Sequence, residues 1–130
     1  MRLKNLLIIV GLLLVNTACQ AQQSGAVEAV ESYVQALVDE NQERLLTISC
    51  ADWEETALTE LDAFIGVTAS VKDMNCSVSG EAGNAVFVTC TGNIEATYNN
   101  EERQLPLDVR SFRVVQEQGN WLVCGYQEAP

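Results

Sequence analysis

VFVTCTGNIEATY, residues 86–98, decides how this chain is read. Val86, Val88, Cys90, Ile94, Ala96 and Tyr98 share one parity, and Thr89, Thr91, Asn93, Glu95 and Thr97 share the other. Side chains alternate across a strand with period two, so the pattern predicts a half-buried strand with one face on a core. Phe87 interrupts the polar parity and implies that part of the second face is also covered. Upstream, Met74, Cys76 and Val78 alternate with Asn75, Ser77 and Ser79, and Gly80-Glu81-Ala82-Gly83-Asn84 supplies a turn, so the two stretches form a hairpin. Downstream, Asn99-Asn100-Glu101-Glu102 turns the chain into a third strand that begins with Leu105, Leu107 and Val109 and continues on the other parity with Phe112 and Val114. The one-residue slip near Arg110 and Ser111 predicts a β-bulge and a bend. Pro106 donates no backbone hydrogen bond and belongs near the strand's start or on a free edge. Gln118-Gly119-Asn120 then leads into a fourth strand over 121–126.

Before this run the period is helical. Val27, Val30, Val34 and Leu37, with Val38 beside them, predict a first helix with Ser24 as its N-cap; Tyr33 reads as core. Asn41 caps a short second helix over 42–48 carrying Leu45, Leu46 and Ile48. Asp52 and Glu55 have the spacing of a capping box, and Leu58, Leu61, Phe64 and Ile65 form the apolar face of a third helix ending at Gly66. The carboxylates Asp52, Glu54 and Glu55 therefore read as first-turn acids placed by the helix dipole rather than as a metal or acid–base cluster. Short turns make neighbouring strands antiparallel. The fold class is α+β: N-terminal helices packed on a curved four-stranded antiparallel meander, in one domain spanning 26–128.

Four cysteines lie inside that domain. Cys50, Cys76, Cys90 and Cys124 allow three pairings, and a disulfide needs Cα atoms within about 7 Å. In a four-strand meander the second and fourth strands stand about 9–10 Å apart, which disfavours Cys90–Cys124, and Cys76–Cys124 more so. The remaining set is Cys76–Cys90 across the first hairpin, centred on Gly83, with Cys50–Cys124 tying the helices to the last strand. Both bridges require an oxidising compartment.

The fifth cysteine, Cys19, ends a different kind of segment. Met1-Arg2-Leu3-Lys4 is a basic start, and residues 6–15 are apolar apart from Gly11. That run is too short to span a bilayer, which takes about 20 residues, and has the size of a signal-peptide core. The following Asn16-Thr17-Ala18-Cys19 resembles the lipobox of bacterial lipoprotein signal peptides, with Asn16 standing where that pattern has an apolar residue. The resemblance implies cleavage before Cys19, a lipid on its thiol, a short tether over 20–25, and residence on the outer face of the cell membrane. The alternative is ordinary secretion with cleavage after Ala18 or Ala21.

The chain has 130 residues, 48% of them apolar, a formal net charge of -11 and no histidine. Removing residues 1–19 takes away Arg2 and Lys4 and no acid, leaving 5 basic against 18 acidic side chains, a net of -13. Such a surface repels nucleic acid. The missing histidine excludes Ser-His-Asp and Cys-His catalysis as usually built and removes the commonest transition-metal ligand; no metal or cofactor is expected.

The helical first third, the long bent meander and the closing Gly119-Asn120-Trp121-Leu122-Val123-Cys124 together resemble the nuclear-transport-factor-2-like superfamily, the cystatin-like cone, over roughly residues 26–127. That resemblance implies an apolar pocket between helices and curved sheet. It suits a binding domain for a small hydrophobic ligand or an envelope protein, with Tyr98, Phe112, Trp121 and Tyr126 as candidate wall residues. Some members are isomerases, dehydratases or hydrolases that use an Asp, Tyr or His inside the cone. Asp108 and Tyr98 are the strand residues nominated for such a role, as base and hydrogen-bond donor; an inward Asp108 is what that reading requires. An inhibitor or immunity-type role near the cell surface is a further alternative.

Overall fold

A computed structural model describes residues 16–130, with side chains from Gln23 onward. The basic start and the apolar run at 1–15, and the Cys19 side chain, lie outside the described residues. Helix α1 spans Asn16–Val38. It begins before Ser24, so Ser24 is not its N-cap, and residues 20–25 are helical rather than an extended tether. Alanine and glutamine are good helix formers, and no proline stands in this stretch to stop propagation toward the N-terminus. The predicted stripe is buried, with Val30, Tyr33, Val34 and Leu37 at most 3% exposed. Ala26, Ala29 and Ala36 widen the buried face, which lets the helix lie close against the sheet.

Helix α2, Gln42–Thr47, starts as expected: Asn41 Oδ1 accepts from the Arg44 N–H at 3.0 Å. A 3₁₀ turn at Ala51–Trp53 then leads into α3, Glu54–Asp62. The predicted capping box does not form, because Asp52 sits within the 3₁₀ turn and Trp53 precedes α3 with no side-chain cap bond. Tertiary contacts set this start. The Cys50 N–H donates to the Val123 carbonyl, the Trp53 N–H donates to the Cys50 carbonyl, and the Trp53 indole turns inward. Ala57 and Leu61 are buried on α3, but Ile65 is 61% exposed. The helix has ended at Asp62 and a turn through Gly66 (φ +77°) loses its phase.

The strands are β1 Thr68–Ala82, β2 Ala85–Tyr98, β3 Glu101–Pro106, β4 Arg110–Glu117 and β5 Asn120–Glu128. All are antiparallel, in the order β1-β2-β4-β5, with β3 pairing β2. The expected third strand is thus two strands, and the meander has five rather than four. The parity slip near Arg110 marks the break: β4 pairs the first half of β2 (Ala85↔Val115 to Thr89↔Ser111) and β3 the second (Asn93↔Pro106 to Tyr98↔Glu101). Pro106 ends β3 on its pairing with Asn93, and Leu107 donates its N–H to the Gly92 carbonyl at 3.0 Å. Opposite Gly92 on the other side, the register with β1 shifts between Lys72 and Asn75. Asp73 and Met74 bulge against the single Gly92, whose φ is +97°. A Cβ at Gly92 would lie 2.5 Å from the Lys72 carbonyl oxygen. This bulge and the β3–β4 corner fall on the same point of β2, and together they bend the sheet around α1.

Both predicted disulfides are present, with Cα separations of 4.0 Å for Cys76–Cys90 and 5.2 Å for Cys50–Cys124. Cys76 pairs directly with Cys90 in the hairpin register. Cys124 is the extra residue where the β4–β5 register shifts, and Ser49 bridges Val123 in parallel. The segment before α3 therefore covers the outer edge of β5. The core lies between the helices and the concave face, where Tyr33, Leu45, Val88, Phe112, Val114 and Val123 are 2% exposed or less.

Candidate ligand pocket

The bend leaves a cavity of about 340 Å³ between α1, α3 and the β3–β4 corner. That is the lower end of the range for small-molecule pockets. Val34 and Leu37 of α1, Phe64 after α3, Ile94 and Ala96 of β2, and Phe112 of β4 form its walls. The corner closes it: Leu107 turns inward at 6% exposed, while Leu105 (42%) and Val109 (50%) stand on the rim. Every lining residue except Glu60 and Arg110 is apolar.

Those two exceptions are joined. Arg110 Nη1 lies 3.1 Å from Glu60 Oε1, and the Tyr33 hydroxyl donates to Glu60 Oε2 at 2.6 Å. The Tyr33 oxygen in turn accepts from the Trp53 indole N–H at 3.0 Å. The Arg110 guanidinium lies 4.3 Å over the Tyr126 ring, a cation–π contact, and Tyr126 meets both Phe112 and Trp53 edge-on. A continuous polar chain thus runs from the cavity wall into the core, with α3 supplying the acid, β4 the base and α1 the hydroxyl. Among the described residues no buried side-chain polar atom lacks a partner.

Burial first, and the Glu60 carboxylate second, push the Tyr33 hydroxyl far above the ordinary value of 10.0. Burial first and the nearby Glu60 carboxylate second also raise Tyr126. The folded state therefore keeps a proton that the unfolded chain releases above about pH 10. Stability from this source is full below pH 10 and falls above it, by up to about 1.4 kcal/mol per pH unit for Tyr33. Urea unfolding between pH 8 and pH 11.5 should show this decline, and Tyr33→Phe should flatten it. An unchanged slope in the variant would show that Tyr33 does not hold the proton.

The structure brings together only part of the predicted site. Phe112 is in the wall, and Tyr126 packs behind it under Arg110. Trp121 is at the other end of α1, packed so tightly on Gly25 that a Cβ there would come within 2.5 Å of its ring. Tyr98 is 58% exposed near the β2–β3 turn, and Asp108 is exposed in the β3–β4 corner. The two residues nominated for acid–base work do not meet in the cavity. Glu60, Arg110 and Trp53 were not anticipated in the site. The one available signal was Tyr33 and Trp53 themselves: aromatic residues with polar tips beside a core need partners.

No family model and no curated protein sequence matches the chain. Among solved structures it is similar to a candidate dehydratase of the NTF2-like family from Streptomyces avermitilis, at 16% identity and a TM-score of 0.53, covering 87% of this chain and 97% of that one. It is also similar to a Nostoc punctiforme protein of unknown function with a cystatin-like fold, at 12% identity and a TM-score of 0.47, covering 78% and 85%. Helices on a bent antiparallel sheet, with a pocket in the bend, are the nuclear-transport-factor-2-like, or cystatin-like, cone. This chain has that fold.

Proposed function

We propose that the protein is an exported, lipid-anchored binding domain that holds a small, mostly apolar molecule in its cone and performs no chemistry on it. The observation that carries this reading is the cavity: apolar but for one ion pair whose charges compensate each other, and rimmed by exposed Leu105 and Val109. An enzyme of the dehydratase kind named for the Streptomyces protein is the second reading. Its carboxylate would have to be Glu60, since Asp108 faces solvent, and both Glu60 oxygens already hold donors from Tyr33 and Arg110. Two disulfides fit an oxidising, extracytoplasmic environment, and among the described residues no helix is long and apolar enough to cross a membrane. Attachment through Cys19 supplies the anchor in this reading.

Two measurements test it. Ethylbenzene at ten times its Kd should raise Tm by about 4 °C or more, and Ala96→Phe, which fills the cavity, should abolish the shift. A wild-type Tm indifferent to apolar probes would defeat the binding role. Intact mass of the processed protein should show a diacylglycerol on an N-terminal Cys19. A mass beginning at Cys19 or Gln22 without lipid would defeat the anchor and leave a secreted protein.

A further inference from the structure

We propose that Arg110 receives the polar head of the ligand, and that this head is a neutral carbonyl group rather than a carboxylate or an amine. The inference rests on the cavity being the binding site, as argued above, and names what the cavity selects.

The first argument is a count of donors and acceptors at the one polar point that the described residues give the wall. A guanidinium carries five N–H donors, and among the described residues the Arg110 side chain donates one of them, from Nη1 to Glu60 Oε1. Glu60 has no donor to offer when ionised, and each of its oxygens already holds one, from Tyr33 and from Arg110. Glu60 keeps further lone pairs, but its side chain is 13% exposed against 41% for Arg110, so the capacity open to a ligand is mainly donor capacity and the matching head is an acceptor. An ammonium head would instead meet the more exposed guanidinium first, like charge against like, with Glu60 set behind it.

Charge then separates the acceptors. At 3.1 Å Glu60 compensates Arg110, so the pair is close to neutral as a unit. A carboxylate ligand would leave one uncompensated negative charge against a wall that is otherwise apolar, which is costly to bury. It would also approach a chain whose formal net charge is -11. A ketone, ester or amide takes the same hydrogen bonds without that cost.

Position supplies the third argument. Arg110 is the first residue of β4, directly after the corner, and its guanidinium is fixed over Tyr126. Its side chain is 41% exposed against 13% for Glu60, so its free donors stand toward the mouth while Leu107 and Ile94, each 6% exposed, line the deep end. A ligand would lie with its apolar body inward and its carbonyl at the rim. The volume of about 340 Å³ leaves room for about ten heavy atoms, taking water's share of liquid volume as the unit.

Four probes of nearly equal size distinguish the heads: acetophenone, benzoate, benzylamine and ethylbenzene. Amide shifts of Leu107 and Arg110 on the purified protein give each Kd. Acetophenone should bind about tenfold more tightly than the other three, the gain expected of a hydrogen bond to a charged donor. In Glu60→Gln/Arg110→Met its affinity should fall to that of ethylbenzene, whose own Kd should stay within about twofold and so report an intact cavity. Arg110→Lys, which keeps the ion pair but loses the planar fork, should reduce the preference to about threefold. Equal binding of acetophenone and ethylbenzene to the wild type would overturn the role of Arg110 and leave the apolar pocket standing. Tightest binding of benzoate or benzylamine would overturn the neutral head. Binding of none of the four would overturn the pocket reading, and this inference with it.

Discussion

Gly92→Ala is expected to cost at least about 3 kcal/mol and to lower Tm by about 12 °C or more. Two separate penalties meet at this residue. Its φ of +97° lies in a region that costs an L-residue on the order of 1–3 kcal/mol. The added Cβ would also stand 2.5 Å and 2.6 Å from the carbonyl oxygens of Lys72 and Asp73, which are backbone atoms of the facing bulge and cannot rotate away. Relief would require β1 to separate from β2 where Gly92 also accepts the Leu107 N–H that forms the corner of the pocket. Gly83→Ala is the control. Gly83 has φ +60° in the hairpin turn with nothing near the added atom, so only the conformational penalty applies, about 1 kcal/mol. Urea unfolding of both variants checks the contrast, and equal losses would show that the close approach at Gly92 contributes nothing. Probe binding should also suffer in Gly92→Ala, since the wall at Leu107 depends on this contact.

The long hairpin was legible because burial in a strand is written in every second residue. Cys76 and Cys90 fall opposite each other in a register that the central turn determines, and geometry then left Cys50–Cys124 as the second bridge. The parity slip near Arg110 located the bend, but a slip is the same signal for a bulge inside one strand and for a break between two. What separates them is the length of β2, which has room for a partner on each half. The start of α3 departs from its local pattern because Asp52 and Glu55 carry capping chemistry, while the disulfide and the inward indole of Trp53, which set it, are long-range. Glu60 left no trace in any pattern. Its neighbours Leu61 and Phe64 mark the apolar face of the helix, and an acid beside that face looks like surface until Tyr33, 27 residues earlier, and Arg110, 50 residues later, are brought to it. A site assembled by bending a sheet depends on contacts that periodicity does not encode, which is also why Asp108, in the β3–β4 corner, and Tyr98, by the β2–β3 turn, lie outside its lining.

Removing the Cys50–Cys124 bridge, as Cys50→Ala/Cys124→Ala, is expected to cost about 4 kcal/mol, and removing Cys76–Cys90 less, about 3 kcal/mol. The separations are 74 and 14 residues, and cross-link entropy grows with the logarithm of the loop that is closed. The native state argues for the same order. Cys76 and Cys90 face each other inside the longest ladder of the sheet, with Asn75↔Thr91 and Ser77↔Thr89 paired on either side, so hydrogen bonds hold that contact without sulfur. The segment at Cys50 meets β5 through a single parallel bridge, Ser49 to Val123, made of two backbone hydrogen bonds, one from Cys50 to Val123 and one from Val123 to Ile48. Without the disulfide, those backbone hydrogen bonds and the Trp53–Tyr126 ring contact are left to hold that junction. The loss should therefore spread beyond stability. Trp53 follows Cys50 by three residues and Glu60 follows Trp53 by seven, so a loosened junction moves both ends of the chain that runs Trp53–Tyr33–Glu60–Arg110. Ethylbenzene binding should weaken several-fold in the Cys50/Cys124 variant and stay near the wild-type level in the Cys76/Cys90 variant. Denaturant unfolding with probe titration of both proteins reads the two effects separately. A larger stability loss from the hairpin bridge would refute the loop argument, and unaltered binding after loss of Cys50–Cys124 would show that α3 holds Glu60 in place without it.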